Sequence, residues 1–224
     1  MKRFIRDNGL GLLFGLLFLA ALVGQAFAGH ADYNDQQVAD GAQTVSFGSY
    51  ITSSSFAVDV AENWQSEYLQ FFLYIMATVW LVQRGSPESK QPSDIGRESD
   101  EKQKVGAHAT EDSPKWARAG GWRTGVFSNS LGLVMLGIFL LSWLAQAIAG
   151  RVVYNADQLA QQQDAVTFLG YLGSPDFWNR TLQNWQSEFL AIGSMAVLSI
   201  YLRQRGSPES KPVGAQHVTT EESG

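Results

Sequence analysis

The chain has 224 residues, a formal net charge of −5 and no cysteine. Without cysteine, disulfides, thiolate metal sites and thiol chemistry are excluded, and the mild acidic charge argues against nucleic-acid binding. The histidines are scattered over polar segments without metal-ligand spacing, at His30, His108 and His217. We therefore expect no metal, no cofactor and no nucleic-acid partner.

An internal repeat organises the chain. The pentapeptide NWQSE at Asn63–Glu67 recurs 121 residues later at Asn184–Glu188. The same offset aligns residues 8–90 with residues 129–211 without a gap, and 34 of the 83 paired positions are identical. The sequence therefore predicts a tandem duplication in which each feature occurs twice.

The first helix of each repeat is predicted to cross a membrane. Gly9–Ala28 and its counterpart Leu131–Gly150 are uncharged and rich in leucine, and each has the length of a bilayer span. The first stretch follows Lys2, Arg3 and Arg6 and ends in Ala-Phe-Ala, which is also typical of a cleaved signal peptide. Because the second copy lies in mid-chain, where a signal peptide cannot occur, we interpret both as spans.

The second helix of each repeat has a shorter apolar run. Sixteen uncharged residues separate Glu67 from Arg84, and fourteen separate Glu188 from Arg203. These helices reach spanning length only if they include the NWQSE motif, which places the two glutamates near the hydrocarbon boundary. The motif tryptophans expected at headgroup depth are Trp64 and Trp185.

Charge distribution sets the expected topology. Of the 16 Lys and Arg residues, 14 lie in the N-terminus, the central linker and the C-terminal tail, and only Arg151 and Arg180 lie in the inter-helix loops. The positive-inside rule then makes the linker and both termini cytoplasmic. Two repeats of equal orientation would be related by a pseudo-two-fold axis along the membrane normal.

The predicted domains are a first two-span membrane repeat at 8–90, a disordered cytoplasmic linker at 91–121, a second two-span membrane repeat at 122–211 and a disordered tail at 212–224. The linker is rich in Ser, Glu, Lys, Gly and Pro, which is typical of disorder. It ends in a basic-aromatic cluster whose expected membrane-interface anchors are Trp116 and Trp122. Recognition of a specific lipid or partner is the alternative for this cluster.

The outer loops are predicted to carry short interfacial helices. In the second repeat, Ser174-Pro175-Asp176 combines a cap, a proline at the first helical position and an acid in the first turn. By alignment, the corresponding helix of the first repeat starts at Ser53. Two to three interfacial turns are expected to lead into each second span.

A polar site at the outer face of the bundle is the candidate functional site. Polar groups at similar depth would be gathered by the pseudo-two-fold axis, and a pair of carboxylates there could hold a cation or share a proton. The competing interpretation is interhelical hydrogen bonding that duplication has simply repeated. The residues of this site are Gln25, Glu67, Gln146, Glu188, Asn63 and Asn184.

The octapeptide QRGSPESK occurs in full at both Gln83–Lys90 and Gln204–Lys211. Helix termination accounts for its Arg, for a Gly in the left-handed stop position and for its Pro. It does not account for the Ser, Glu, Ser and Lys, for which a folded cytoplasmic cap or a shared contact surface are the alternatives.

No pattern in the sequence indicates an enzyme, and no residue is predicted to be catalytic. The order of motifs does resemble a known family. Val-Gly-Gln-Ala at Val23–Ala26, Phe-Gly-x-Tyr at Phe47–Tyr50, NWQSE and QRGSPESK together are similar to DUF6766, a family of uncharacterised bacterial integral membrane proteins whose phrases read NWESEFLQ and QRGSAESK. The resemblance covers Asn8–Lys211. This chain departs from it at Gln65 and Gln186, where relatives have Glu, which weakens the cation-site hypothesis.

The sequence therefore predicts an all-α integral membrane protein with four transmembrane helices in two parallel two-helix repeats. The resemblance implies the bacterial cytoplasmic membrane. We expect a non-enzymatic structural or interaction protein, and the alternative is a small transporter or channel component with its polar site at the outer face. The expected partners are the lipid bilayer and either a second copy or another membrane protein.

Overall fold

The computed structural model describes residues 2–220. Its α-helices are α1 (Lys2–Ala39), α2 (Phe47–Ile51), α3 (Ser54–Trp80), α4 (Lys115–Ala119), α5 (Gly121–Ser128), α6 (Ser130–Ala160), α7 (Phe168–Leu172) and α8 (Pro175–Tyr201). Two 3-10 helices lie at Pro92–Asp94 and Gly106–His108, and these described residues contain no β-strand. The predicted all-α class is confirmed.

Two helices, α1 and α6, are long and apolar enough to cross a membrane. Helices α3 and α8 have 27 residues each, which corresponds to about 40 Å at 1.5 Å per residue. Their length is sufficient for a span, but their first halves carry charged side chains such as Asp59, Glu62 and Arg180, which lower their mean hydropathy. Apolar composition alone therefore distinguishes α1 and α6 from α3 and α8.

The helix start predicted at Ser174 is confirmed. The Ser174 hydroxyl accepts a hydrogen bond from the backbone N–H of Phe177, Pro175 is the first helical residue, and Asp176 lies in the first turn. In the first repeat the Ser53 hydroxyl accepts from the N–H of Phe56. The residues expected to form separate interfacial helices instead form the first turns of α3 and α8. The short helices of the outer loops are α2 and α7.

The helix ends differ from the prediction. Gly85 and Gly206 do have the expected left-handed backbone, with φ of +88° and +81°. However, α3 ends at Trp80 and α8 ends at Tyr201, several residues earlier. The glycines are therefore not helix stops, because each lies inside a compact turn formed by its octapeptide after the helix has ended.

The chain divides into two compact units that do not follow the repeats. Unit 1 runs to Val60 and resumes over Ala145–Tyr171, and unit 2 comprises Ala61–Leu144 and the residues from Leu172 onwards. Unit 1 thus holds most of the outer-loop residues of both repeats, and unit 2 holds both NWQSE motifs and both octapeptides.

Unit 1 closes its two outer loops with the same hydrogen bonds. The amide of Asn34 accepts from the N–H of Val45 at 2.8 Å and donates to its carbonyl at 3.1 Å. The amide of Asn155 binds Val166 in the same way, at 2.8 and 3.0 Å. One asparagine per repeat therefore pins the returning loop to the end of the long helix.

A buried tyrosine completes each loop. Tyr50 and Tyr171 are almost fully buried, and their rings contact Tyr33 and Tyr154 at centroid distances of 5.6 and 5.5 Å. Their hydroxyls lie where a Cβ would be if glycines 29 and 150 were alanines. The repeated glycine is therefore required for close approach of the tyrosine, which packs each outer loop against its long helix.

The central linker and the tail follow defined paths in the structure. Lys90 pairs with Glu98 at 3.4 Å, and the N–H of Gly96 donates to the carbonyl of Val79. In the tail, the Thr220 hydroxyl accepts from the N–H of Gly85 at 2.9 Å. Disorder of these segments in solution stays a prediction, and for residues 221–224 it lies outside the described part of the chain.

Candidate functional site

The residues of the predicted outer polar site are divided between the two units. Gln25 and Gln146 belong to unit 1, where Gln25 is half-buried and Gln146 is fully buried. The other four belong to unit 2: Asn63, Glu67, Asn184 and Glu188.

In unit 2 the two predicted glutamates lie within electrostatic reach of each other. Glu67 is exposed and Glu188 is half-buried, and the charge of Glu67 acts on the Glu188 carboxylate. Asn63 is exposed, whereas the amide of Asn184 donates to the carbonyl of Arg180 at 2.8 Å. Each NWQSE motif thus contributes one carboxylate to unit 2.

The buried member of the motif is a residue that the sequence analysis did not select. Gln65 is 0% exposed, and its Oε1 accepts a hydrogen bond from the indole N–H of Trp185 at 2.7 Å. Its Nε2 donates to the carbonyl of Glu62 at 3.1 Å. The counterpart Gln186 is exposed. The two copies of NWQSE therefore have identical sequences and different roles.

A second contact between α3 and α8 in unit 2 is ionic. Arg180 pairs with Glu62 at 3.4 Å and with Asp176, four residues earlier on its own helix, at 3.4 Å. Arg180 aligns with Asp59 of the first repeat. The pairing thus depends on a position at which the two copies have opposite charges.

The predicted interface anchors have different surroundings. Trp64, Trp116 and Trp122 are exposed at 40%, 44% and 69%. Trp122 also lies under the guanidinium of Arg123. Trp185 is half-buried against aromatic rings of α6 and α8, those of Phe139, Trp143 and Phe189. The first three can serve as interfacial anchors, whereas Trp185 packs inside unit 2.

The two octapeptides fold into the same structure, which we call the paired turns (residues 83–90 and 204–211). In each turn the second serine hydroxyl accepts from the N–H of the glutamine, at 2.8 Å for Ser89 and 2.9 Å for Ser210. The first serine hydroxyl accepts from the N–H of the glutamate, at 3.3 Å for Ser86 and 3.2 Å for Ser207. The serines that helix termination left unexplained therefore hold the turn closed.

The lysine that ends each turn binds a following segment. Lys90 donates to the carbonyl of Gly96 at 3.1 Å. Lys211 is 1% exposed, and its ammonium group donates to three backbone carbonyls of the tail at 2.8 to 3.2 Å, those of Gln216, His217 and Thr219. The lysines thus fasten the linker and the tail to the paired turns.

The glutamates of the paired turns line a groove in unit 2 with a volume of about 530 Å³. Glu88 accepts a hydrogen bond from the hydroxyl of Tyr74, and Glu209 lies within hydrogen-bonding reach of Glu88. Burial raises the pKa of the Glu88 carboxyl, the hydrogen bond from Tyr74 lowers it, and the neighbouring Glu209 raises it further. The net result is a raised pKa of the Glu88 carboxyl, and burial is the largest of its causes.

This groove was not predicted from the sequence, because its residues come from the long helices and from the turns that follow them. Glu88 and Glu209 follow the helices, and the turns fold back so that they meet side chains of α3 such as Gln70 and Tyr74. The available signal was the recurrence of a glutamate in two identical octapeptides. Among residues 2–220, no group of three or more His, Cys, Asp or Glu side chains is placed to hold a metal ion.

Comparison with known proteins gives one match. No curated protein and no solved structure shows significant similarity to this chain. The DUF6766 family, described as a domain of unknown function, matches residues 1–222. The match covers both repeats, the linker and the paired turns. The chain therefore belongs to the DUF6766 family.

Proposed function

We propose that this chain is a multi-pass protein of the bacterial cytoplasmic membrane that has a structural or interaction role and no enzymatic activity. In this proposal α1, α3, α6 and α8 cross the bilayer as two parallel repeats, and both termini are cytoplasmic. Its partners are the lipid bilayer and either a second copy or another membrane protein.

The observation that carries this proposal is the use of repeated polar side chains within the chain itself. Gln65 binds Trp185, and the serines and lysines of the paired turns bind backbone groups. Buried polar groups are costly unless they are hydrogen-bonded. Side chains that maintain a fold are expected to be engaged in this way.

The topology can be tested with single cysteines, since the natural chain has none. We expect an impermeant maleimide added to intact spheroplasts to label Asp40→Cys and Gln163→Cys, and to leave Glu111→Cys and Val218→Cys unlabelled until the membrane is opened. All four positions are exposed. If only α1 and α6 crossed the bilayer, Glu111→Cys would be labelled from outside and Gln163→Cys would be protected. That pattern would refute the four-span proposal.

A second candidate function is that of a small transporter or channel component. It is favoured by the electrostatic interaction between Glu67 and Glu188, because two like charges that act on each other in the middle of long helices carry an energetic cost. Such a cost is often retained at ion or proton sites.

The double variant Glu67→Gln/Glu188→Gln distinguishes the two functions. On the structural proposal, proteoliposomes containing the wild-type protein show no more proton or monovalent-cation flux than protein-free liposomes. The transport candidate instead predicts a flux that this double variant abolishes. The variant Asp40→Asn/Asp164→Asn, which removes two exposed loop charges, is the matched control and should leave any flux unchanged.

A further inference from the structure

The groove of unit 2 combines an apolar wall with a negatively charged end. The wall is formed by side chains of α3 and α8, those of Phe71, Ile75, Ala191, Ile192 and Met195. Glu88 and Glu209 contribute carboxyl groups, and Tyr74 and Thr78 contribute hydroxyls. A volume of about 530 Å³ is in the usual range for a small-molecule site.

The polar groups of this groove are predominantly hydrogen-bond acceptors. The Tyr74 hydroxyl already donates to Glu88, and the Thr78 hydroxyl already donates to the carbonyl of Tyr74 at 2.9 Å. The side chain of Gln70 lines the groove, and its buried Oε1 accepts no hydrogen bond within the described part of the chain. The carboxyl groups of Glu88 and Glu209 are the charged acceptors of the groove, and they favour a ligand that supplies N–H groups.

We propose that the groove binds an amphiphile with a primary ammonium head and an alkyl chain. The head lies at Glu88 and Glu209, which compensate its positive charge and accept its hydrogen bonds, and the chain lies along the apolar wall. An ammonium group has three N–H donors and no acceptor, which matches a site whose charged groups are both acceptors. A hydrated metal ion would satisfy the carboxylates, but it would leave the wall of Phe71, Ile75 and Met195 without a counterpart.

The paired turns supply the two carboxylates symmetrically. Glu88 and Glu209 occupy equivalent positions of the octapeptide, whereas the positions of Tyr74 and Gln70 correspond to Met195 and Ala191 in the second repeat. The charge of the groove is thus a product of the duplication. Its hydrogen-bonding side comes from the first repeat, and part of its apolar side comes from the second.

The test uses the full chain purified in a neutral maltoside detergent, with decylammonium as the probe. We expect decylammonium to raise the melting temperature of the wild-type protein by several degrees, because a ligand that binds only the folded state stabilises it. Decanol and decyltrimethylammonium should produce less than half of this shift. Decanol lacks the charge, and decyltrimethylammonium lacks the N–H donors.

Two variants assign the effect to the groove. Glu88→Gln/Glu209→Gln should abolish the shift, and Glu101→Gln/Glu111→Gln, which removes two exposed linker charges, should retain it. Because the first variant alters the paired turns, Met195→Trp provides a second variant that fills the apolar wall and keeps both carboxylates. It should also abolish the shift.

The proposal is overturned if Glu88→Gln/Glu209→Gln and Met195→Trp both retain the shift in melting temperature. It is equally overturned if decanol stabilises the protein as much as decylammonium does. It is also overturned if magnesium or sodium ions alone produce a shift that depends on Glu88 and Glu209 and decylammonium produces none. That outcome would identify an inorganic cation site.

Discussion

We expect Lys211→Met to lower the free energy of unfolding by about 3 kcal/mol, because a buried ammonium that donates to three backbone carbonyls is removed. Hydrogen bonds to charged groups contribute about 1.5–3 kcal/mol each, and partial rearrangement of the tail recovers some of this energy. Methionine retains most of the side-chain volume, so the loss reports the ammonium rather than a cavity. Thermal melting followed by tryptophan fluorescence in detergent measures the effect.

The first repeat contains the matched control. Lys90 occupies the equivalent position, but it donates to one carbonyl, that of Gly96, and forms a partly exposed ion pair with Glu98. We expect Lys90→Met to cost about 1 kcal/mol or less, since exposed ion pairs contribute little. Equal losses in the two variants would contradict the assignment of the larger role to the buried lysine.

The second large effect is expected at Gln65. We expect Gln65→Leu to destabilise the protein by about 2 kcal/mol, because the indole N–H of Trp185 loses its acceptor inside a packed aromatic cluster. Leucine is of similar size and apolar, so packing is largely kept. The melting temperature and the fluorescence maximum of the protein should both change, since Trp185 loses a hydrogen bond.

Gln186→Leu is the control, because Gln186 has the same neighbours in sequence and an exposed side chain. We expect its unfolding free energy to stay within about 0.5 kcal/mol of the wild-type value. If Gln186→Leu were as damaging as Gln65→Leu, the repeated motif would have equivalent structural roles in the two copies, and the asymmetry described above would be wrong.

Local signals in the sequence were sufficient for several features. The cap at Ser174 and the left-handed glycines of the paired turns depend on neighbouring residues only, and both occur as predicted. The all-helical class follows from long apolar and periodic segments in the same way. The exact ends of α3 and α8 could not be predicted from these local signals. The octapeptides form turns of their own, and both helices end before them.

The asymmetry of the two NWQSE motifs was not predictable from the motifs. Their letters are identical, so the difference arises from residues elsewhere in the chain. Trp143, which contacts Trp185 in unit 2, aligns with Leu22 of the first repeat. The groove was also not predictable from the motifs, because it depends on tertiary contacts. Glu88 reaches Tyr74 only because the turn folds back along its helix.

The contact between Gly85 and Thr220 has a consequence for biosynthesis. The N–H of Gly85 donates to a hydroxyl that is 135 residues later in the chain, and the His217 carbonyl lies against the same glycine. The first repeat therefore leaves the ribosome with its turn incomplete, and the turn acquires these partners only after the tail has been translated. Since closing so long a loop is slow and entropically costly, a chain that stalls before the tail would present an unfinished first repeat to membrane proteases. The turn of the first repeat thus reaches its final packing only after Thr220 has been translated.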